Sequence, residues 1–519
     1  MSDTRPVRAR LAPSPTGFMH VGTLRTVLYD YFLARQSAGG KLILRIEDTD
    51  QERLVPGALE SLLRTMKVLG IDYDEGPVLQ DDGTILERGE FGPYVQSKRL
   101  DTYRPVAERL VQEGKAYYCF CSTEELDEMR KIQTETKQQV KYDRRCLRLS
   151  KEEIERRLAS NEYKGRTVIR MKVPEGSFSF EDGIRGLISV DSKEVDDQVL
   201  LKSDGFPTYH LAVVVDDHLM NITHVLRGEE WISSTPKQII LHQMLGWEMP
   251  VYAHVPLLLN PDKTKLSKRK GDVSVESYLA KGYLPEALIN FLALLGWNPT
   301  GDKELFTREE LVKLFDLKKV NRSGAVMNIE KLNWMNNQYI RAMSEEDYLK
   351  MCADKGLYAL PGWNADQSQE ERSAMWEKAA VTIKRQQQKA VLSVIERVET
   401  LLDIPARVSE LNLYKDHLDY SGVNIVWKKS TKEATQEYLT AARSYLSAKD
   451  QAWFEDRPTI EADLRAWIAE KAWSNGDVLW PLRVALSGQE KSPSPFDFLW
   501  IFGKDRSLTR IDDALVSLA

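Results

Sequence analysis

Cysteine is scarce in this chain, with four in 519 residues, too few for a disulfide scaffold and consistent with a reducing compartment. No long hydrophobic run is present. The most apolar window, 284–297, is interrupted by Glu286 and Asn290 and is too short to cross a bilayer. Residues 1–10 contain Asp3 and Arg5 and lack the apolar core of a secretory signal. These absences predict a soluble, cytoplasmic protein without a membrane segment.

An excess of positive charge is also lacking. Lysine and arginine number 72 against 78 aspartates and glutamates, giving a formal net charge of −6 and a pI near 5.9. A bulk-basic nucleic-acid binder is therefore not indicated, although five of the eight residues between Lys263 and Lys270 are cationic. Shares of 42% hydrophobic and 29% charged residues exclude a disordered chain. At about 150 residues per domain, the length predicts three or four domains.

The first 70 residues show the pattern of a parallel α/β sheet. Val7–Leu11 is typical of a short strand, and residues 12–17 contain prolines and a glycine that indicate a turn. Apolar residues then recur at helical spacing from Val21 to about Ala38. A second strand is predicted at Lys41–Ile46 and a second amphipathic helix at Gly57–Gly70. Strand, turn, helix, strand and helix in this order favour a parallel sheet.

The pattern changes from about residue 103 to residue 207, where charged helices alternate with strand-like pieces. Apolar strands are predicted again at Leu211–Val215, Val225–Leu226 and Val255–Leu259. One α/β domain split by an insertion of about 100 residues explains this order. After Lys270 the chain is mostly helical, and Ser344 predicts the start of one helix of an all-α carboxyl-terminal region.

Two segments carry residues suited to phosphate chemistry. Ser14–Thr23 lies between a predicted strand and helix, where helix N-terminal N–H groups attract phosphate, and it contains His20 and Gly22. Lys263–Gly271 supplies several ammonium groups that suit a leaving pyrophosphate. Taken separately, each has an ordinary alternative, a turn with a surface histidine or a solvated basic loop.

A third group contains the residues Cys119, Cys121, Tyr142 and Cys146. Three thiolates and one oxygen donor suit a tetrahedral zinc site, whereas the alternative is a set of buried thiols. Cys352 stands apart and is predicted to lie in the core.

Several ordered motifs resemble the class I aminoacyl-tRNA synthetases, whose signatures are a "HIGH" and a "KMSKS" sequence. The chain has His20-Val21-Gly22-Thr23 and Lys265-Leu266-Ser267-Lys268-Arg269. The segments "LAPSPTGFMHVGT", "RIEDTDQER", "PTYHLAVVVDDHLMNITHVLRGEEW" and "KLSKRKG" are similar to those of bacterial-type glutamyl-tRNA synthetases, and the resemblance extends to "PLRVALSG" near the end. Thr23 and Arg269 depart from the generic signatures, and both variants occur in the glutamyl branch.

The resemblance implies that glutamate and ATP form glutamyl-adenylate and that the terminal ribose of a tRNA accepts the glutamyl group. Such an in-line displacement requires positioning and charge stabilisation, with no protein nucleophile. The implied catalytic residues are His20, Lys265 and Lys268. The implied ATP-binding residues are His20, Gly22, Thr23, Glu230, Trp231, Lys265, Leu266, Ser267, Lys268 and Arg269. Mg²⁺ is expected to accompany ATP.

The resemblance also implies a glutamate site. A guanidinium binds a carboxylate bidentately and rejects the uncharged amide of glutamine. Arg10, Tyr209 and Arg227 are implied around the side-chain carboxylate, with Ser14 and Glu47 at the α-amino group. Ala12 also belongs to this implied glutamate-binding set. For Arg10 and Arg227 the alternative is a salt bridge to a neighbouring carboxylate.

The expected fold class is α/β, with a Rossmann-type parallel-sheet catalytic domain split by an α+β insertion and followed by an all-α anticodon-binding region. The predicted domains are a first catalytic half at 1–102, an acceptor-stem-binding insertion with the zinc site at 103–206, a second catalytic half at 207–262, a KMSKS-type loop and stem-contact domain at 263–343, and a helical anticodon-binding domain at 344–519.

Structural zinc is implied in the insertion. The expected partners are L-glutamate and tRNA(Glu), with tRNA(Gln) left open, and the expected state is a monomer.

The sequence is also compatible with two other functions. A nucleotidylyltransferase can use a similar histidine–glycine turn and lysine loop, but the long helical end and the arginine pair disfavour it. A non-catalytic tRNA-binding paralogue is disfavoured because it would have no need for His20, Lys265 and Lys268. Histidines 210, 218, 224, 242 and 254 are predicted to be satisfied structural or surface residues, and tryptophans 467, 473 and 480 are predicted to pack between helices.

Overall fold

The structure, a computed structural model, describes residues 5–266, 273–299, 301–357, 381–413, 415–428 and 430–519. The chain divides into two compact units, one formed by Met1–Ala280 and Pro285–Ile329 and the other by Lys281–Leu284 and Glu330–Ala519. No helix in the described ranges is both long enough and apolar enough to cross a membrane.

The strands of the first unit are β1 (Arg8–Leu11), β2 (Lys41–Leu44), β3 (Gly76–Leu79), β4 (Ile85–Arg88), β5 (Ala116–Cys119), β6 (Val168–Met171), β7 (Ser177–Asp182), β8 (Gly186–Asp191), β9 (Val199–Leu201), β10 (His224–Gly228), β11 (Val251–Val255), β12 (Leu258–Leu259) and β13 (Ala325–Val326). Its helices are α1 (Val21–Gln36), α2 (Ala58–Leu69), α3 (Leu100–Gln112), α4 (Thr123–Glu135), α5 (Lys151–Ala159), α6 (Tyr209–Leu219), α7 (Thr235–Leu245), α8 (Val275–Ala280), α9 (Pro285–Leu294) and α10 (Arg308–Leu314).

A six-stranded sheet with the order β2-β1-β10-β11-β7-β8 forms the centre of this unit. The first five strands of that order are parallel, and β8 is antiparallel to β7. Strands β1 and β2 are buried along most of their length, as in other parallel sheets covered on both faces. The sheet confirms the predicted parallel α/β architecture. The hairpin β7–β8 lies within the predicted insertion 103–206, yet it extends this sheet.

A smaller sheet with the order β5-β6-β9 is antiparallel and belongs to the same stretch of chain. Beside it, Cys119, Phe120, Tyr142 and Cys146 form a buried cluster with neighbouring aromatic and aliphatic side chains. Strands β3 and β4 form a separate hairpin, and β12 pairs with β13. The finer division of the chain into five domains stays a prediction.

One predicted strand was wrong. Leu211–Val215 lies inside helix α6, and all five of its residues are buried. The helix packs against α3 and α7 and contributes to a large buried core of this unit. A short run that is apolar on every side does not distinguish a buried helix from a buried strand. The predicted strand Val255–Leu259 is divided, because Val255 ends β11 of the central sheet whereas Leu258–Leu259 is β12, which pairs with β13 outside that sheet. The remaining predicted elements are found, with ends that differ by a few residues.

The second unit is helical in its described ranges. Its helices are α11 (Ile329–Arg341), α12 (Glu345–Asp354), α13 (Val381–Ser393), α14 (Asp403–Ser409), α15 (Lys432–Ser447), α16 (Arg457–Glu470), α17 (Asn475–Ser487) and α18 (Pro495–Ser517). Ser344 caps α12 as predicted, because its side chain accepts a hydrogen bond from the Asp347 amide. Trp467 stacks on Tyr445 with ring centroids 4.7 Å apart and meets Trp473 edge-on at 5.5 Å, which confirms their packing role.

Candidate active site

A cleft of about 1320 Å³ opens in the first unit, beyond the carboxyl ends of β1 and β10. In open α/β sheets this edge is where ligands bind. The cleft gathers every sequence-predicted ATP or glutamate residue that lies in the described ranges. These residues are Arg10, Ala12, Ser14, His20, Gly22, Thr23, Glu47, Tyr209, Arg227, Glu230, Trp231, Lys265 and Leu266. Ser267, Lys268 and Arg269 lie outside the described residues.

The turn between β1 and α1 presents backbone to the cleft. His20 occupies the N-cap of α1, where its Nδ1 atom accepts a hydrogen bond of 2.9 Å from the Gly22 amide. A side chain at Gly22 would bring its Cβ to 3.1 Å from the same Nδ1 atom. The Val21 amide donates to the Val273 carbonyl at 2.8 Å, so among the first three amides of α1 the Thr23 amide is the one without a described partner. That amide suits a phosphate.

Lys265 reaches the cleft from a tight hairpin that follows β12. The Leu266 amide donates to the Leu258 carbonyl at 3.0 Å, and Leu259 and Lys265 form an isolated bridge. The Lys265 side chain is exposed and lines the cleft. The sheet edge therefore brings together two motifs that lie some 240 residues apart in the sequence.

Arg227 is the most unusual cation of the cleft. The side chain is 6% exposed, and its described hydrogen-bond partners are two hydroxyl groups and an imidazole. Its Nη1 atom donates to the Tyr209 hydroxyl at 3.0 Å, Nη2 donates to Thr235 at 2.7 Å, and Nε donates to His254 at 3.1 Å. Among the described residues no carboxylate forms an ion pair with Arg227, so the salt-bridge alternative fails for this residue. A buried cation of this kind calls for a negatively charged ligand.

Arg10 is held differently. Its Nε atom lies 3.3 Å from Asp217, so the salt-bridge alternative is met in part. Asp217 also accepts a 2.6 Å hydrogen bond from Arg45, which binds Glu47 at 2.9 Å with its other terminal nitrogen. Burial tends to lower the pKa of Arg10, but Asp217, Tyr209 and Glu47 together raise that pKa overall. Burial raises the pKa of Glu47 despite the adjacent Arg45 and Arg10.

Trp231 forms one wall of the cleft. Its ring is 36% exposed and lies 4.5 Å from the Tyr209 ring, centroid to centroid. An exposed indole beside a turn that suits a phosphate also suits a nucleotide base. Glu229, next to Glu230, is instead used internally, because it pairs with Arg185 and accepts from the Leu257 amide.

Several residues around the cleft were missed by the sequence reasoning. Predicted site residues are hydrogen-bonded to Arg45, Asp217 and Thr235. Asp182 contacts Arg227 only through His254. Arg45 and Asp217 lie inside the quoted motifs "RIEDTDQER" and "VVVDDH", which could have indicated a role. Asp182 and Thr235 carry no local signal. His254, predicted to be a satisfied structural residue, is hydrogen-bonded in the core. His242 is buried too, but neither of its ring nitrogens has a hydrogen-bond partner in the described part of the chain.

Comparison with known proteins gives the family. Residues 6–334 match the profile described as tRNA synthetases class I (E and Q), catalytic domain, and residues 358–515 match an anticodon binding domain. The chain is 44% identical over 513 residues to a glutamate–tRNA ligase of Clostridium botulinum (strain Loch Maree / Type A3), covering 98% of each chain. The chain belongs to the bacterial-type glutamyl-tRNA synthetases of class I.

Other relatives agree along the whole length. A glutamate–tRNA ligase of Chloroherpeton thalassium is 42% identical over 521 residues, covering 99% of this chain and 98% of the relative. The crystal structure of a glutamate tRNA ligase from Elizabethkingia meningosepticum, in complex with its amino acid, superposes with a TM-score of 0.79 at 34% identity. That match covers 99% of this chain and all of the other.

The cysteine cluster of this synthetase has the shape of a metal centre. The Tyr142 hydroxyl lies 3.4 Å from the Sγ atoms of both Cys119 and Cys121, and Cys121 Sγ lies 3.6 Å from Cys146 Sγ. The three sulfur atoms all fall within 4.8 Å of one another, and the cysteines form no disulfide. Zinc–sulfur bonds of about 2.3 Å in a tetrahedron place sulfur atoms about 3.8 Å apart. The residues therefore fit a tetrahedral zinc ion.

Hydrogen bonds within the cluster shift the pKa values of its members in opposite directions. Hydrogen bonds from Cys121 and Cys146 lower the pKa of Cys119, and the nearby Arg170 adds to this effect. Hydrogen bonds with the other two cysteines raise the pKa of Cys121, while burial raises the pKa of Tyr142. The cluster thus concentrates negative charge on one sulfur that the others stabilise. Among the described residues, it is the one place where three or more Cys, His, Asp or Glu side chains converge in this way.

The helical unit of the synthetase carries a second aromatic group. Trp480 and Trp427 lie with ring centroids 4.8 Å apart, and both are half-buried. The Arg483 guanidinium lies over the Trp480 ring at 4.6 Å, and the Lys428 ammonium lies over the Trp427 ring at 4.6 Å. Trp480 was predicted to pack between helices, but its described contacts are with Trp427 and the Asn424 carbonyl, which lie between α14 and α15, and with Arg483 of its own helix.

Proposed function

We propose that the chain is a glutamate–tRNA ligase that activates L-glutamate with ATP and transfers it to the 3′ end of tRNA(Glu). The observation that carries this proposal is Arg227, a buried guanidinium in the cleft without a carboxylate partner among the described residues. The side-chain carboxylate of glutamate supplies the missing negative charge, and glutamine does not. The identity to glutamate–tRNA ligases over the full length supports the same function.

The proposed glutamate site extends from Arg227 to Glu47. The side-chain carboxylate binds to Arg227, Arg10 and Tyr209. The α-amino group binds to Ser14 and Glu47, beside Ala12. The location of these residues in one cleft supports this assignment. Arg45 supports it too, because it binds both Glu47 and Asp217 and so fixes the distance between these carboxylates. The α-carboxylate is then directed toward the phosphate-binding turn, where it attacks the α-phosphate of ATP and pyrophosphate leaves.

The proposed ATP site is built on His20, Gly22, Thr23, Trp231 and Lys265, with Glu230 and Leu266 beside the adenosine. The Thr23 amide at the N-terminus of α1 and the Lys265 ammonium stabilise charge on the phosphates. Mg²⁺ accompanies ATP and shares the phosphate oxygens. Ser267, Lys268 and Arg269 are assigned to the phosphates by the family resemblance alone. Lys268→Ala is expected to reduce adenylate formation far more than tRNA binding, and equal losses in both would refute that role.

Zinc is proposed as a structural cofactor held by Cys119, Cys121, Tyr142 and Cys146. A bound zinc would stabilise this part of the chain by holding the β5 strand end to the segment around Cys146. The insertion would then meet the acceptor stem of the tRNA. The helical unit offers ring faces and cations suited to unpaired anticodon bases. The rings belong to Trp427 and Trp480, and the cations to Lys428 and Arg483.

The experiment that tests the proposal is ATP–pyrophosphate exchange with glutamate, run with and without total tRNA and with glutamine as the control. Exchange with glutamate and not with glutamine is the expected result. Exchange that requires tRNA would also establish tRNA as the partner, and charging of purified tRNA(Glu) and tRNA(Gln) would define its range. No exchange under any condition would refute the proposal. We further propose that the enzyme is a monomer and acts in the cytoplasm. Sedimentation of the purified chain, with and without tRNA, tests the monomeric state.

A further inference from the structure

Arg227 and His254 face each other across two neighbouring strands. They are register partners on β10 and β11, and both side chains are buried, with His254 fully so. The Arg227 Nε atom lies 3.1 Å from the His254 Nε2 atom. Since a guanidinium nitrogen only donates hydrogen bonds, His254 Nε2 must be the acceptor and cannot carry a proton.

The opposite side of the imidazole ring is fixed by Asp182, at the end of β7. His254 Nδ1 lies 2.6 Å from Asp182 Oδ2. Asp182 Oδ1 accepts hydrogen bonds from the amides of Ile184 and Arg185 at 3.0 and 2.9 Å. Burial tends to raise the pKa of Asp182, but these hydrogen bonds and the one from His254 lower it overall. An ionised Asp182 therefore holds the proton of His254 on Nδ1.

These contacts decide how the Arg227 guanidinium is oriented. His254 occupies the Nε hydrogen, Thr235 occupies one hydrogen of Nη2 and Tyr209 accepts one hydrogen of Nη1. Thr235 itself lies 3.0 Å from His254 Nε2. A guanidinium has five N–H groups, so one hydrogen remains on each terminal nitrogen. Two parallel N–H groups form the fork that binds a carboxylate bidentately.

We infer that Asp182 and His254 are positioning residues: Asp182 sets the tautomer of His254, and His254 sets the angle at which Arg227 presents this fork to the glutamate side chain. The inference rests on the proposed function, since it concerns the recognition of glutamate. Neither residue touches the substrate. They act through Arg227, in the way that outer groups orient the inner ligands of a metal site.

Three replacements of His254 separate this role from simple core packing. In His254→Asn the new side-chain amide would stand where Nδ1 stands, so this variant keeps a donor for Asp182 and leaves Arg227 Nε without an acceptor. His254→Gln extends its oxygen to the position of Nε2 and restores that acceptor. His254→Ala removes both contacts. The measurements are KM and kcat in pyrophosphate exchange with saturating tRNA, for glutamate and separately for ATP.

The expected result is a rise of about 10- to 100-fold in the KM for glutamate with His254→Asn and His254→Ala. The KM for ATP should stay within about twofold, because the ATP site does not depend on Arg227. His254→Gln should recover most of the glutamate affinity. A purely structural role predicts the reverse order, with His254→Asn tolerated and His254→Gln harmful, or equal changes in both KM values, and either result would overturn the inference.

Asp182→Asn gives a second test that hardly changes volume. The side-chain oxygen of the introduced asparagine can still accept from the Ile184 and Arg185 amides, which turns its NH₂ group toward His254 Nδ1. The imidazole proton would then move to Nε2, where it opposes the Arg227 Nε hydrogen. The expected outcome is a raised KM for glutamate at an unchanged melting temperature. An unchanged KM would contradict the inference. Absence of glutamate-dependent exchange in the wild-type chain would refute the proposed function itself, before any variant is compared.

Discussion

The His20 Nδ1 atom accepts a hydrogen bond of 2.9 Å from the Gly22 amide. This single contact gives His20 two roles. It caps α1, because the side chain satisfies one of the amides that the helix leaves unpaired. It also fixes the tautomer of the neutral ring, because an Nδ1 atom that accepts must place the ring proton on Nε2. In the proposed function this Nε2–H group donates to a phosphate.

The first prediction separates these two roles of His20. Asparagine is as good a helix cap as any residue, so His20→Asn should keep the melting temperature of the wild-type chain and lose only the Nε2 donor. We expect its kcat in pyrophosphate exchange to fall about 10²-fold. His20→Ala should show the same kinetic loss and be destabilised by about 1 kcal/mol as well. Wild-type kcat in His20→Asn would show that the histidine serves only as a cap.

The second prediction concerns the choice between glutamate and glutamine. Arg227→Gln removes the guanidinium that lacks a carboxylate partner in the described structure, so kcat/KM for glutamate should fall by about 10³-fold or more. Activity with glutamine should not fall, so the ratio of kcat/KM for glutamate to kcat/KM for glutamine should decrease by a similar factor. Arg104→Gln is the matched control, because Arg104 is exposed on α3 and forms a surface ion pair with Glu108. A preserved ratio in Arg227→Gln would exclude this arginine from specificity.

The third prediction concerns the cysteine cluster. The purified chain should contain about one zinc ion per molecule, measured by plasma mass spectrometry. Cys121→Ser should hold about tenfold less zinc and melt at a lower temperature. Cys352→Ala is the control, because Cys352 is buried in the other unit and far from the cluster in sequence. A wild-type chain without zinc would mean that the three cysteines are buried thiols.

Much of the fold could be predicted because local pattern and tertiary structure agree in the first 70 residues. Helix α1 and the strands on either side have clear periodicity, and the turn before α1 is marked by two prolines and a glycine. Helix α6 was predicted as a strand because its residues 211–215 are apolar on every face. That error also concealed Asp217, since on a helix this carboxylate can reach both Arg10 and Arg45.

The supporting residues of the cleft could not be predicted for a different reason. Asp182 meets His254 across 72 positions of chain, and their contact depends on β7 joining the central sheet beside β11. The sequence suggested that residues near 182 belong to an insertion, so their pairing with the sheet had no local sign. Sequence motifs mark groups that touch a ligand, whereas the groups that orient them are found only when strand order and register are known.

The last prediction uses the acid sensitivity of His242. Burial lowers the pKa of this residue to about 4, against the attraction of Asp217. In the unfolded chain a histidine titrates near pH 6.5, so at pH 5.5 unfolding takes up about 0.9 of a proton at this site. Stability should therefore fall as the pH decreases from about 6.5 to 4. His242→Leu removes this titration, and its melting temperature should drop less between pH 7.5 and pH 5.5 than that of the wild-type chain. The value at pH 7.5 reports the packing effect alone, and an equal drop in both proteins would show that His242 already carries its proton in the folded state.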